Sequence, residues 1–307
     1  MLDILGLQFR AALFHLVRSY FRGQDFLEVD TPIRQPVLLP ESNITPIASG
    51  SWFLQTSPEQ CMKRLLAREG QNIFQICPCF RADERGSRHL EEFTMLEWYR
   101  SDADYSDLMA DCRALLDYVL EGLNQQQKYG AIVARSCLGT MVVDQEWQTV
   151  TVAEAFSRWG KMPLEEALNS KRFDDVIAID IEPHLGLQSP TFLYDYPAEC
   201  ASLARLKKED ANLAERFELY IDGLELANGF SELTDASEQR IRFEEELDRI
   251  EQRDGARPPM PEKFLADLDR LDRAAGIAFG LDRLLMLLLS VSTIDEVVSL
   301  SADDWFE

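Results

Sequence analysis

The sequence is short of cations. Its 307 residues include 31 Lys and Arg against 54 Asp and Glu, a formal net charge of -23. A protein that grips an RNA backbone needs cations to displace counterions, so extensive RNA binding by this chain is not expected. The acidity also serves solubility. None of the six cysteines forms a Cys-x-x-Cys unit. Cys77-x-Cys79 places two thiols on one strand face, but no second pair completes a zinc site, so the pattern implies buried thiols in a reducing compartment. A basic-then-apolar leader is absent, and the apolar run Leu284–Leu289 is far too short to span a bilayer. We therefore expect a cytoplasmic protein with no membrane contact. Repeats and a disordered tail are absent too. What remains is an ordinary soluble composition, 46% hydrophobic and 28% charged. The length suits one large α/β domain or two small ones.

Periodicity organises the chain. Phe9, Leu13, Leu16, Val17 and Tyr20 lie at helical spacing and predict a helix over Leu7–Phe21. An extended run, Phe26-Leu27-Glu28-Val29-Asp30-Thr31-Pro32, follows. Residues 35–52 are rich in Pro, Ser and Gly and read as a long loop. A helix is expected over Glu59–Arg68, a strand over Ile73–Phe80, and a helix over Tyr105–Leu123 that frays at Asn124–Gln127. Residues 128–190 hold helical fragments, Val152–Trp159 and Phe173–Leu185, and read as a helical insertion. Strand-like runs Arg216–Ile221 and Leu224–Phe230 flank Asp222-Gly223, a strong two-residue hairpin signal. A charged helix, Ala236–Arg253, has the spacing of a solvated face. A break at Pro258, Pro259 and Pro261 precedes the last unit.

Several stretches carry candidate chemistry. Phe80-Arg81-Ala82-Asp83-Glu84 ends one strand, a basic loop (Arg85, Arg88, His89) follows, and Glu92–Arg100 forms the next strand. An arginine at a strand end suits a phosphate, and the loop can close over a polyphosphate. Alternation puts Phe93, Met95, Glu97 and Tyr99 on one face, with Thr94, Leu96 and Trp98 on the other. In the hairpin, Ile221 should face Leu224 and Tyr220 should face Glu225. Glu218 then lies diagonally from Glu225, roughly 7–8 Å away along the ladder or less between side chains. Two carboxylates so placed can share a divalent cation, or they are simply two exposed acids on an edge strand. Thr56-Ser57-Pro58-Glu59 is good helix-capping chemistry. Ala275–Met286 reads as a glycine-bearing strand entering an apolar helix, with Gly280, Asp282 and Arg283 at the junction.

Taken in order, these stretches resemble the signature motifs of class II aminoacyl-tRNA synthetases, and the lysine branch in particular. The resemblance covers nearly the whole chain, from Phe26 to Val297–Leu300. It implies an α+β fold, a mostly antiparallel sheet flanked by helices. Residues 1–307 would form one catalytic domain, with the insertion at about 128–190 and no anticodon-binding domain. It also implies a homodimer built on the first helix and strand. ATP would be held by Arg81, Ala82, Asp83, His89, Phe93, Glu225, Leu226, Gly280 and Arg283. Phe93 and Arg283 would sandwich the adenine, and Arg81 and Arg283 would be the catalytic cations. Glu218 and Glu225 would hold Mg2+. Ser57, Pro58, Glu59, Glu97, Tyr99, Asn228, Phe230, Glu232 and Ala278 would form the amino-acid pocket. Its carboxylates call for a doubly cationic guest, since buried acids need partners. Simple alternation puts Asn228, Phe230 and Glu232 opposite Glu225, so a β-bulge or kink is expected near Ala227–Gly229.

Ser57-Pro58-Glu59, Met62-Lys63-Arg64-Leu65-Leu66, Glu97-Trp98-Tyr99-Arg100 and Ala214-Glu215-Arg216-Phe217-Glu218 are similar to the truncated lysyl-tRNA synthetase paralogues that attach lysine or (R)-β-lysine to a lysine side chain of elongation factor P. Ala278 stands where the tRNA enzymes tend to carry glycine. The resemblance thus implies ATP-dependent aminoacyl-adenylate formation and transfer to that protein acceptor. A truncated enzyme charging another acceptor, and a non-catalytic regulatory relative, are the alternatives. The chain departs from the family pattern in motif 2. Arg81-Ala82-Asp83 replaces Arg-Asn-Glu, and His89-Leu90-Glu91-Glu92 replaces His-Asn-Pro-Glu.

Overall fold

The computed structural model describes residues 2–141, 146–301 and 304. The first helix runs Ile4–Gly23. It starts where the Asp3 side chain accepts a hydrogen bond from the Gly6 amide at 2.7 Å. Strand β1 (Leu27–Glu28) follows, then β2 (Arg34–Gln35), β3 (Ala48–Ser49) and β4 (Trp52–Leu54). The last three form a small antiparallel sheet. Residues 35–52, expected to be a plain loop, therefore fold back on themselves, with Arg34 pairing Leu54 and Ala48 pairing Phe53.

The main sheet has eight strands. Besides β1 it contains β5 (Ile73–Phe80), β6 (Glu92–Ser101), β7 (Gln148–Thr151), β8 (Thr191–Pro197), β9 (Leu213–Ile221), β10 (Leu224–Ser231) and β11 (Ala274–Gly280). Their spatial order is β1-β5-β6-β11-β10-β9-β8-β7. The inner pairs are antiparallel; only the two edge strands, β1 on β5 and β7 on β8, run parallel to their neighbours. The α+β expectation holds. Residues 128–190, expected to be a helical insertion, are not purely helical, because they contribute the edge strand β7. Their helix from Phe173 is a short α-helix that widens into a π turn at Ile177–Ile181 and a 3-10 turn at Glu182–His184.

The hairpin β9–β10 turns on Asp222 (φ 54°) and Gly223 (φ 66°), both left-handed. That is the backbone a two-residue type I′ turn requires, and Asp-Gly supplies it at low cost. Ile221 pairs Leu224 and Tyr220 pairs Glu225, as the sequence predicts. The register then slips: Ala227 pairs Leu219 and Asn228 pairs Glu218. Leu226 is the extra residue, so the bulge comes just before the expected stretch.

The two faces of the sheet have different duties. Leu96 and Trp98 of β6, Phe217 and Leu219 of β9, Leu226 and Ala227 of β10, and Ile277 and Phe279 of β11 enter the main core. Helices Ile4–Gly23, Tyr105–Asn124 and Leu281–Leu289 cover that face with the same core. Trp98 is fully buried, with its ring 5.2 Å from Phe21 and 6.0 Å from Phe279. Its indole N–H donates to Asp111 at 3.1 Å, and Arg100 grips the same carboxylate through two bonds of 2.6 Å. The opposite face stays open as a cleft between two satellite cores, one under the insertion and one around Phe243 and Phe264. Among the described residues no helix is long and apolar enough to cross a membrane. All six cysteines are free thiols. Trp98→Ala should cost about 3–5 kcal/mol from the cavity it leaves, read as a lower urea midpoint with the sheet's circular dichroism preserved.

Candidate active site

Strand register lays the cleft out in rows. One row crosses the sheet as Gln75, Glu97, Ala278, Asn228 and Glu218, each paired with the next. The adjacent row is Ile73, Tyr99, Gly276, Phe230 and Arg216. Because β11 offers only Ala278 and Gly276 here, a trough runs between the acids of β6 and the polar groups of β10. Its floor is close-packed: a Cβ on Gly276 would lie 2.2 Å from Tyr99 Cε1 and 2.4 Å from Glu232 Oε1. The bulge at Leu226 keeps Glu225, Asn228, Phe230 and Glu232 on one face. Without the extra residue, Glu225 would point into the core.

At one end of the trough, carboxylates converge. Glu97 is 1% exposed and accepts from Ser57 Oγ at 2.6 Å and Tyr99 OH at 2.7 Å. Burial, and then the nearby Glu59 charge, push its carboxyl up to about 8. Glu232 is fully buried, and its Oε1 has no partner. Burial raises it to about 8 as well, against the pull of Lys63. Lys63 is 2% exposed and points between two of these acids, contacting Glu59 Oε1 and lying 2.5 Å from Glu232 Oε2. Its ammonium also sits 4.9 Å from the Phe230 ring centroid. The acid cluster already contains one cation from the chain itself, which the sequence reading missed. The signal was there: Glu59 and Lys63 are four apart on a helix, the spacing of a same-face ion pair.

The other end holds the basic groups. Glu218 accepts from Arg216 Nη2 at 2.8 Å and Tyr220 OH at 2.7 Å. Burial and the Glu225 charge raise its carboxyl above the usual range. Arg283 donates to the Glu225 backbone carbonyl at 2.7 Å and reaches its carboxylate at 3.2 Å. Its other arm lies 2.7 Å from His89 Nε2. Burial and the Arg283 charge push His89 below its ordinary value. Arg88 ties this loop to the hairpin tip through the Gly223 carbonyl at 2.8 Å and to Glu182 at 3.0 Å. Arg81 lies 5.2 Å over the Phe93 ring, so Arg81, not Arg283, covers that face here. Beneath them, Asp282 is 2% exposed. It accepts from Arg10 Nη1 at 2.6 Å and from the Thr94 amide at 2.6 Å, and Arg10 Nη2 donates to Thr94 Oγ1 at 2.8 Å.

Most of the sequence-predicted residues meet in this cleft. Pro58 is the residue before helix Glu59–Glu69, and the Glu59 amide donates to Ser57 Oγ at 3.0 Å. Gly280 ends β11 beside Arg283. Asp83 sits at positive φ (64°) on the exposed loop. Leu226, expected at the nucleotide, is the bulged residue and turns its side chain into the main core (2% exposed), so a contact to a nucleotide there would come from its backbone. The motif 2 departures have local roles: the Ala82 amide donates to the Thr45 carbonyl at 2.8 Å, and Leu90 packs into the main core. Arg10, Thr94, Asp282 and Arg216 were not foreseen as site-supporting groups. Arg10 and Thr94 meet Asp282 from far away in sequence, where spacing carries no signal, whereas Arg216 and Glu218, two apart on one strand, share a face that alternation could have shown.

Two outcomes follow from this geometry. Asp282→Ala removes the carboxylate that holds the partly exposed Arg10 and the Thr94 amide, and should cost about 1–3 kcal/mol, measured by chemical denaturation. Glu97 and Glu232 bind protons more tightly folded (about 8) than free (4.5). Their contribution to stability is full below about pH 4.5 and is lost as pH rises through about 8. The stability of the wild type relative to Glu97→Gln should therefore fall from about pH 5 to about pH 9, followed by urea midpoints.

Comparison with known proteins agrees with this layout. Residues 5–303 match the family described as tRNA synthetases class II (D, K and N). The chain is 38% identical to the elongation factor P–(R)-beta-lysine ligase of Pectobacterium carotovorum subsp. carotovorum (strain PC1), covering 98% of this chain and 96% of the relative. It is 37% identical to the protein of that name from Edwardsiella ictaluri (strain 93-146), covering 96% and 94%. It is also 37% identical to the one from Proteus mirabilis (strain HI4320), covering 97% and 95%. A sheet whose inner strands are all antiparallel, its two-ended cleft and these matches place the chain in the class II tRNA synthetase family of the D, K and N branch.

Proposed function

We propose that this protein is an ATP-dependent ligase that activates a lysine-type amino acid, (R)-β-lysine by the names of its relatives, and transfers it to a lysine side chain of elongation factor P. The observation that carries this reading is the bulge at Leu226. It puts Glu225 and Glu218 beside the same trough as Asn228, Phe230 and Glu232. One cleft then offers acids for ammonium groups at one end and arginines for phosphates at the other.

Glu232 and Glu97 would receive the substrate's ammonium groups, with Tyr99 and Ser57 holding Glu97 in place. Arg81 and the His89 loop would hold the ATP phosphates, and Arg283 and Phe93 the adenine once Arg81 swings from the Phe93 ring to the phosphates. The substrate carboxylate attacks the α-phosphorus; the bond to the β-phosphate breaks and pyrophosphate leaves. Arg81 stabilises the charge that develops. The acceptor amine then attacks the acyl carbon and AMP departs. The chain needs no covalent nucleophile, since positioning and electrostatics supply the catalysis.

Glu218 and Glu225 fit a divalent cation. Their charges crowd each other, and Asn228 Oδ1 beside them is buried without a partner. Among the described residues no cluster of three or more His, Cys, Asp or Glu is placed to hold a metal unaided. That suits Mg2+, which takes its remaining oxygens from phosphate and water and would draw off phosphate charge. The reading extends to one catalytic unit in which the insertion, about 128–190, walls the Glu218 end of the cleft. Exposed Ile4, Leu7 and Leu27 support a homodimer through the first helix, and the net charge of -23 supports a protein acceptor over extensive tRNA contact.

The test is amino-acid-dependent ATP–pyrophosphate exchange with α-lysine, β-lysine and a control panel, followed by transfer to elongation factor P or tRNA. Exchange should be selective for a lysine isomer, and transfer should go to the protein. Arg81→Ala should lower exchange by about 100-fold or more. Absence of exchange with every amino acid would overturn the reading in favour of a regulatory relative.

A further inference from the structure

We propose that Glu41 is the general base of the transfer step: its carboxylate takes a proton from the acceptor lysine's ammonium, so that the free amine can attack the acyl carbon of the adenylate. This rests on the protein-acceptor reading above. Glu41 lies in the loop 36–47 that joins β2 to β3. The loop is pinned from two sides. On one, the Ser42 amide donates to Glu246 at 2.7 Å and Arg253 donates to the Ser42 carbonyl, both from helix Ala236–Asp254. On the other, the Thr45 carbonyl accepts from the Ala82 amide. Glu41 is thereby held at a cavity of about 10 Å³ that it lines with Thr56, Ser57, Glu59 and Gln60. These walls touch both ends of the cleft. Ser57 bonds Glu97 at the amino-acid end, and the Thr56 carbonyl accepts from Arg81 Nε at 3.4 Å at the phosphate end. An adenylate with its acyl half among the acids and its phosphate on Arg81 has its reactive acyl–phosphate bond between the two.

Transfer needs a base where activation does not. A lysine side chain keeps its proton up to about pH 10, and an ammonium has no electron pair to give. One proton must leave before the C–N bond forms, and Glu41 takes it. The nitrogen pair then attacks the acyl carbon. The bond from that carbon to the phosphate oxygen breaks with its electrons, and AMP departs. The second nitrogen proton goes to the departing phosphate, and Glu41 returns its own to solvent. The other acids of the cleft are engaged: Glu59 and Glu232 with Lys63, Glu97 with two hydroxyls, Glu218 with Arg216 and Glu225 with Arg283. The Glu41 carboxylate makes no hydrogen bond or ion pair among the described residues. The charged groups that face it are Glu59 and Lys63 on helix Glu59–Glu69, Arg81 just past β5, and Glu246 on helix Ala236–Asp254. Burial, and then the Glu59 charge, raise it to about 7 against the pull of Arg81, which suits proton transfer near neutral pH. A base reaches its proton directly or through one water. The cavity has room for one, and its wall includes Gln60, whose buried Oε1 has no partner.

The test follows the two steps separately on the full chain from about pH 6 to about pH 9. ATP–pyrophosphate exchange reads activation, and single-turnover transfer from preformed adenylate to elongation factor P reads the second step. Wild-type transfer should rise with pH and level off above about 7. Glu41→Gln should lower transfer by about 100-fold or more near neutral pH, with both KM values in exchange within about 2-fold. Its transfer should keep climbing, about 10-fold per pH unit, because only acceptor amine already free can react. Hydroxylamine is neutral near pH 7 and needs no base, so it should take the acyl group from wild type and Glu41→Gln at rates within about 2-fold. The proposal is overturned if Glu41→Gln transfers to the protein as wild type does. It is equally overturned if the KM for the amino acid rises, since Glu41 would then hold the substrate's own ammonium, or if transfer to hydroxylamine falls in parallel, since its role would then be structural. Should Glu41→Gln not fold, Glu41→Asp decides: transfer should level off at a lower plateau, and a rate that climbs through pH 9 or a parallel fall in exchange would refute the base. A wild type that forms adenylate but transfers to no protein would instead overturn the underlying function.

Discussion

One extra residue in β10 decides what this cleft is. Strand side chains alternate with a period of two, so an inserted residue flips everything beyond it. At Leu226 the register slips once. The hydrophobic Leu226 and Ala227 both go to the core, and Glu225 and Asn228, an odd number of positions apart, both go to the cleft. The polar residues of the hairpin are thereby gathered on one side without breaking the packed layer of Phe217, Leu219 and Ile277 beneath. Gly276 of β11 completes the arrangement by letting the Tyr99 ring and the Glu232 carboxyl close in over the floor.

Gathering acids in this way has an electrostatic cost, and the surroundings of each acid answer it differently. Glu97 is held by two hydroxyls, Glu232 by a lysine on one oxygen and nothing on the other, and Glu218 by an arginine and a phenol. The raised proton affinities of Glu97, Glu218 and Glu232 share a first cause, burial, and a second, the neighbouring charges. Below about pH 8 Glu97 and Glu232 answer the crowding by holding protons.

Local pattern explains how much of this was legible in the sequence. Asp222-Gly223 specifies its turn chemically, so the hairpin register could be counted from it. The alternation around Glu97 is strict because one face is core and the other cleft. The need for a bulge followed from requiring Glu225 and Asn228 to share a cleft, but its position did not, since any of several residues could be the extra one. That is why the inward turn of the Leu226 side chain could not be read from the sequence. Residues 35–52 conceal their small sheet because two- and three-residue strands carry no periodicity. The insertion's edge strand, Gln148–Thr151, is too short to stand out among helical fragments. Lys63 is four residues from Glu59 on a helix, a spacing that reads equally well as a surface ion pair, so its contact with Glu232 from another element could not be read from the sequence.

The Arg10–Asp282–Thr94 junction has a consequence for how the molecule is made. Arg10 and Asp282 are 272 residues apart in sequence, and their contact fixes the spacing between the strand bearing Phe93 and the helix bearing Arg283. Closing so long a loop comes late, after local hairpins and helices exist. During synthesis the amino-acid end of the cleft, built around Glu59 and Glu97, is available first. The Arg283 wall is made later, from residues that follow Glu97 in the chain. The first helix therefore waits for a partner 272 residues away before it finds its final contact.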